Sequence, residues 1–166
     1  MSKHMNLSES IENYLEVILE LEKANKVARA KDIAEKLGIK KGSVSGALKI
    51  LKEKKLIHYE PYSFINLTSK GKKIAESIYR RHQVLNDFLQ NVLQIEAHKA
   101  DNTACRMEHV IDEETLERLI VFIEYINTCP RAEDGWLASF VNYIKTRQLY
   151  SQKCDKCINE LTQPDL

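Results

Sequence analysis

The sequence predicts a mainly α protein: an N-terminal winged helix-turn-helix with a small β-hairpin wing, then an all-helical second half. Three observations carry that prediction. Only five glycines and three prolines occur in 166 residues rich in Leu, Ile, Lys and Glu, which favours helices joined by short loops. Two apolar patterns at helical spacing flank a turn at Gly38, and a proline turn between two short apolar runs follows them. The charge also divides: residues 1–81 carry 17 Lys/Arg against 10 Asp/Glu, net +7, whereas residues 82–166 carry 8 against 14, net −6. A basic half suits a polyanion, and an acidic half suits cations or self-association.

The first element runs from Leu7 to Ala24, where Ile11, Tyr14, Leu15, Ile18 and Leu21 recur at three- and four-residue spacing; Ser8 or Ser10 is its cap. The second is short, Arg29 to Ile39, with Ile33, Ala34 and Leu37 on its apolar side and Gly38 at its end, where a left-handed residue suits glycine. The third opens at Lys40-Lys41-Gly42-Ser43-Val44-Ser45 and buries Val44, Ala47, Leu48 and Leu51. Ala34, Gly38 four residues later and Val44 six beyond it allow two helices to cross closely about a tight turn. Leu56–Glu60, Pro61-Tyr62-Ser63 and Phe64–Leu67 then form the hairpin. In such a module the second helix of the pair enters the major groove by its N-terminal end, which here carries Lys40, Lys41, Ser43 and Ser45. Those two lysines, with Lys49, Lys52, Lys54 and Lys55, are better suited to phosphates, which fix position and make binding salt-dependent.

Thr68 caps a long helix from Ser69 towards Leu93, with Ile74, Ile78, Val84, Leu85, Phe88, Leu89 and Val92 on its apolar side. His82 lies on it beside Arg80 and Arg81, and a lone helical histidine is usually structural or exposed. The next helix carries the most informative run, Ala104-Cys105-Arg106-Met107-Glu108-His109-Val110. At 100° per residue, offsets of three and four place the Cys105 sulfur, the Glu108 carboxylate and the His109 imidazole on one stripe. Asp101, and His98 before it, extend that stripe. One sulfur among nitrogen and oxygen donors suits a divalent transition metal better than calcium or magnesium. The same spacing also describes an ordinary polar face with Cys105 as a small core residue. Asp112 caps a further helix whose broad apolar side, Leu116, Leu119, Ile120 and Ile123, closes the core or a homodimer interface.

No apolar run approaches the roughly 20 residues needed to span a bilayer, and Met1–Asn6 lacks a signal-peptide core, so a cytoplasmic protein is expected. Four cysteines there read as thiol or metal chemistry rather than a disulfide framework.

Glu12-Asn13-Tyr14-Leu15-Glu16, the helix-turn-helix, Asn66-Leu67-Thr68-Ser69-Lys70-Gly71, Arg81-His82 and Ala104–Val110 together resemble the metal-dependent repressors of the diphtheria toxin repressor and manganese transport regulator type. The likeness runs through residues 8–126. It implies a DNA-binding domain over 1–72, an all-helical metal-binding and dimerisation domain over 73–127, and an extension over 128–166. It implies further a homodimer that binds an operator when Fe(II), Mn(II) or a similar ion is bound, repressing metal-uptake genes. The ligands carried over are Glu16, His82, Cys105, Glu108 and His109, with another at the position of Asn13. Manganese-type relatives have a carboxylate there and iron-type relatives a thioether; the amide of Asn13 is a weaker donor than a carboxylate. Cys105 follows the iron-type pattern, and a thiolate favours Fe(II), Co(II) or Zn(II) over Mn(II). Fe(II) is therefore the favoured ion. His82 and Asp101 also fall at positions of the family's ancillary site, where Asn86 replaces an acid. Gly46 stands where a larger polar side chain reads bases, leaving Lys40, Ser43 and Ser45 for that task.

The extension lies outside the resemblance. Cys154-x-x-Cys157 has the spacing of a metal knuckle and Cys129 offers a third thiolate, while Gly135–Ile144 reads as an amphipathic helix between them. A zinc or iron-sulfur site, a redox pair and free thiols all fit these three cysteines. Two other functional classes stay open on sequence: a redox or iron-sulfur sensor on the same scaffold, and a hydrolytic enzyme using the metal cluster to activate water.

Overall fold

The structure, a computed structural model, describes residues 7–25, 27–60, 63–128 and 136–147. Helix α1 spans Glu9–Asn25, and the amides of Ile11 and Glu12 donate to the Ser8 carbonyl at 2.8 and 3.1 Å, so Ser8 rather than Ser10 precedes the first turn. Ile11, Tyr14, Leu15 and Ile18 are buried as the spacing predicts, and so are Val17 and Leu19. The buried face is wider because α1 packs against three other helices. Two of these are α2 (Ala30–Lys36) and α3 (Lys41–Glu53), which cross about Gly38 at φ +64, the left-handed conformation that glycine adopts without a Cβ clash.

Ile33, Ala34, Val44, Leu48 and Leu51 meet Leu15 and Ile18 in one core, where each large aliphatic side chain contributes about 1.5–3 kcal/mol by leaving water. The wing is smaller than the sequence suggests. Strands β1 (Ile57–His58) and β2 (Asn66–Leu67) pair antiparallel, with Ile57 opposite Leu67 and His58 opposite Asn66. Ile65 leaves that ladder and exchanges two backbone hydrogen bonds with Ala28 instead (2.9 and 3.3 Å), tying the wing to the loop ahead of α2.

Helix α4 (Ser69–Asp87) begins at the expected cap: the Thr68 hydroxyl accepts from the Gly71 amide at 3.0 Å. The predicted helix to Leu93 is not α-helical throughout, because Phe88–Val92 forms a π-helical turn closed by a Leu93 amide bond to the Phe88 carbonyl at 3.0 Å. Helix α5 (Ala97–Met107) follows, capped by Glu96, whose carboxylate accepts from the amides of His98 and Lys99. Those bonds hold the Glu96 carboxyl below the usual range. Buried Ala100 and Ala104 meet Leu85 and Leu89 in a second core, where their small side chains let α5 approach α4 closely. Helix α6 (Glu113–Thr128) starts on the Asp112 cap, and α7 spans Trp136–Thr146 as the amphipathic pattern predicts. Among the described residues no helix is long and apolar enough to cross a membrane.

Candidate metal centre and nucleic-acid face

Three helices converge on Glu108. Helix α1 brings Glu12, Asn13 and Glu16; α4 brings Arg81 and His82; the end of α5 brings Asp101, Cys105, Glu108 and His109. The helix stops one residue before Glu108, whose backbone stays in the right-handed region and donates to the Ala104 carbonyl at 2.9 Å. The stripe read from sequence therefore survives the helix end, although His109 lies beyond it. Ligand atoms of Cys105, Glu108 and His109 lie within 4.8 Å of one another, and so do those of Glu16, His82 and Glu108. Glu108 belongs to both groups and is fully buried.

Its two oxygens face different partners. Oε2 lies 2.7 Å from His82 Nδ1, and Oε1 lies 3.4 Å from His109 Nε2. Asp101, more exposed, meets His82 Nε2 at 3.2 Å rather than joining Cys105. His98, which the extended stripe includes, stays outside the cluster: it is exposed and faces Asn102. Asn86 accepts from Gln90 at 2.7 Å.

The electrostatics are those of acids crowded together, with His82 beside Glu108 and Arg81 beside Glu12 as the nearby basic groups. Burial first, then the charge of Glu108, lifts the Glu16 carboxyl to about 7. Burial and then the same carboxylates lift the Cys105 thiol to about 11. The hydrogen bond to Glu108 raises His82 to about 9. Three potential donor atoms, Asn13 Oδ1, Glu108 Oε1 and His109 Nε2, are buried without a hydrogen-bond partner. Orphaned buried polar atoms cost about 1–3 kcal/mol each, so their gathering beside a thiol and two carboxylates fits a bound cation. The donor set of sulfur, nitrogen and oxygen fits a divalent transition metal.

Glu12 is a carboxylate at this cluster that the sequence reading leaves out of the ligand set. Its carboxylate Oε2 accepts from His109 Nδ1 at 2.8 Å and lies 3.7 Å from Arg81 Nη2. The available signal is its place four residues before Glu16, on the same face of α1.

On the other side of the N-terminal unit, Lys40, Lys41, Ser43, Ser45 and Lys49 are all exposed along α3 and its first turn, opposite buried Val44, Leu48 and Leu51. Gly46 is exposed among them. Lys52 does not stand free for phosphate: its Nζ lies 2.8 Å from Glu60 beside the wing. The three cysteines read as a second metal site, Cys129, Cys154 and Cys157, lie outside the described residues.

A winged helix with a lysine-bearing outer helix, joined through α1 and α4 to a cluster of a half-buried thiol, a buried carboxylate and an imidazole, defines a metal-responsive DNA-binding regulator. Residues 6–65 match the family model of the iron dependent repressor N-terminal DNA binding domain, and residues 68–137 that of the iron dependent repressor metal binding and dimerisation domain. The chain belongs to the iron-dependent repressor family. Both domains are those of metal-dependent transcriptional repressors, not of enzymes.

An uncharacterised HTH-type transcriptional regulator of Methanocaldococcus jannaschii is 36% identical over 119 residues, covering 71% of this chain and 95% of the relative. The diphtheria toxin repressor of Corynebacterium glutamicum is 29% identical over 125 residues, covering 75% of this chain and 55% of the relative. Among solved structures, the manganese regulator SloR superposes with a TM-score of 0.63 at 33% identity, over 72% of this chain and 56% of its own. The IdeR of T. acidophilum gives 0.63 at 26% identity, over 72% and 55%. The chain thus spans about half the length of these last three proteins.

Proposed function

We propose that this chain is a homodimeric, Fe(II)-responsive repressor that acts in the cytoplasm on operators of metal-uptake genes. Residues 1–72 bind DNA and residues 73–127 hold the metal and the dimer contact. The observation that carries this reading is fully buried Glu108, whose oxygens face both His82 and His109 at the meeting of α1, α4 and α5.

Asn13, Glu16, His82, Cys105, Glu108 and His109 are the residues that hold the ion, with Asp101 orienting His82. A bound divalent cation would take the place of the protons that Glu16 and His82 hold in the metal-free cluster. Because Asn13 and Glu16 sit on a helix of the DNA-binding unit and Cys105, Glu108 and His109 on the other half, ligation restricts how the two halves orient. That restriction favours the arrangement in which two α3 helices reach successive major grooves. Cys105 supports Fe(II) over Mn(II), since a thiolate is a poor partner for the harder ion. The rise of the Cys105 thiol to about 11 makes it a weak nucleophile when metal-free, which argues against Cys105 itself as a redox-sensing thiol.

Lys40, Lys41 and Lys49 set position on phosphates while Ser43 and Ser45 face base edges. The test is anaerobic binding to operator DNA, selected from random sequence, at constant salt with Fe(II), Mn(II), Co(II), Zn(II) or chelator. Fe(II) should tighten binding by roughly 5–150-fold over chelator, the span of ordinary allosteric coupling. Equal affinity with Fe(II) and with chelator rejects the reading.

A further inference from the structure

Glu12 is well placed to act on the metal centre without touching the metal. Its carboxylate joins three helices: it sits on α1, accepts from His109 beyond α5, and faces Arg81 on α4. All three side chains are largely withdrawn from solvent, with 17% of Glu12, 4% of His109 and 13% of Arg81 exposed. A carboxylate only accepts, so the 2.8 Å contact places the ring proton of His109 on Nδ1. In the neutral ring that a metal ligand must be, the other nitrogen, Nε2, presents the lone pair, and it is the nitrogen that is buried without a partner 3.4 Å from Glu108 Oε1.

From this geometry we infer that Glu12 is a positioning residue of the metal centre, fixing the tautomer and orientation in which His109 Nε2 meets the ion. The inference rests on the metal-centre reading above. Histidine ligands commonly lean on such a carboxylate, and losing it costs about 10–100-fold in metal affinity. The competing role, in which Glu12 serves only to neutralise Arg81, fits the distances less well: the guanidinium stands 3.7 Å from the oxygen that His109 reaches at 2.8 Å. The bond also spans the two halves of the molecule, because Glu12 belongs to the DNA-binding unit and His109 does not.

The experiment is an anaerobic Co(II) titration of the full chain, followed through the thiolate-to-cobalt absorption, for the parent, Glu12→Ala and Glu12→Gln. Glu12→Ala should weaken binding about 10–100-fold. Glu12→Gln should recover most of the loss, because the amide oxygen still accepts from Nδ1 although the charge facing Arg81 is gone. Metal-free melting should stay close between the two variants. Parent-like affinity in Glu12→Ala overturns the inference. So does a Glu12→Gln protein as weak as Glu12→Ala with a matching fall in metal-free melting, which assigns Glu12 to charge neutralisation. The parent supplies a measurement that needs no variant: nitrogen-15 NMR of the Zn(II)-loaded chain should show His109 protonated at Nδ1, and protonation at Nε2 overturns the inference. A parent that binds neither ion overturns the metal-centre reading itself.

Discussion

At the scale of single residues, the proposed reading makes protons and metal compete for the cluster around Glu108. His82 is raised to about 9 by its bond to Glu108, so the stability it contributes is full below its ordinary value near 6.5 and is lost as pH rises through 9. Glu16, raised to about 7 by burial, acts in the same direction, since the folded chain again holds a proton that the unfolded chain has released. The metal-free protein should therefore melt at a lower temperature at pH 9 than at pH 6. Apparent metal affinity should run the other way, because ligands must shed those protons. Melting curves in chelator and in Co(II) across that range check both signs; a chelated protein that gains stability towards pH 9 contradicts the assignment. Asn13 carries a second prediction. Its buried, unpartnered amide oxygen offers no charge, so Asn13→Asp should raise Mn(II) affinity by more than Fe(II) affinity, measured by competitive titration. The Cys105, Glu108 and His109 group was legible in sequence because helical spacing puts the three on one face and Glu108, past the end of α5, keeps a right-handed backbone. Glu12 was not, because its partner is 97 positions away and only tertiary packing brings them together.

At the scale of elements, the joint between wing and long helix is where an added side-chain atom meets backbone at once. The Thr68 hydroxyl accepts from the Gly71 amide and reaches the Lys55 and Leu56 carbonyls, while its own amide donates to Leu56 at 2.9 Å. Any Cβ at Gly71 would overlap the Leu56 carbonyl oxygen, which is backbone and moves only with the strand beside it. Thr68→Ala should cost about 1 kcal/mol as a lost cap, and Gly71→Ala about 1–3 kcal/mol or more as overpacking. Gly46 is the reverse case: it lies mid-helix in α3 with open space around it, so Gly46→Ala should gain about 0.5–1 kcal/mol. Urea unfolding of the metal-free chain ranks the three, and a stabilising Gly71→Ala rejects the close-approach argument. Period and capping made the helices and both caps, Thr68 and Asp112, readable in advance. The π-helical turn at Phe88–Val92 and the Ala28 to Ile65 pairing were not, because each depends on what the segment packs against rather than on its own pattern.

At the scale of the whole molecule, α1 belongs to both halves. Its early turns carry Glu12, Asn13 and Glu16 at the Glu108 cluster, and further along Glu22 grips the wing, accepting from the Leu67 amide at 2.9 Å and the Asn66 amide group at 3.2 Å. On the proposed reading, an ion held by α1, α4 and α5 would bear on the wing through one continuous helix, and would organise operator binding only with two copies joined. The surface suited to that is the outer face of α6, where Val121 is 61% and Phe122 44% exposed, in the domain whose family model is named for dimerisation. Exposed apolar residues clustered on one helix mark an association surface rather than ordinary scatter. Val121 packs into neither core, so Val121→Glu adds a charge to the face without opening a cavity. The variant should sediment as a monomer, keep the parent's Co(II) affinity, and lose the cooperative occupation of two half-sites about one helical turn apart. Its remaining DNA binding should be that of one α3 helix, weak and steeply salt-dependent. A Val121→Glu protein that still sediments as a dimer moves the interface off this face; one that dissociates yet binds the full operator like the parent shows that dimerisation is not what the metal organises.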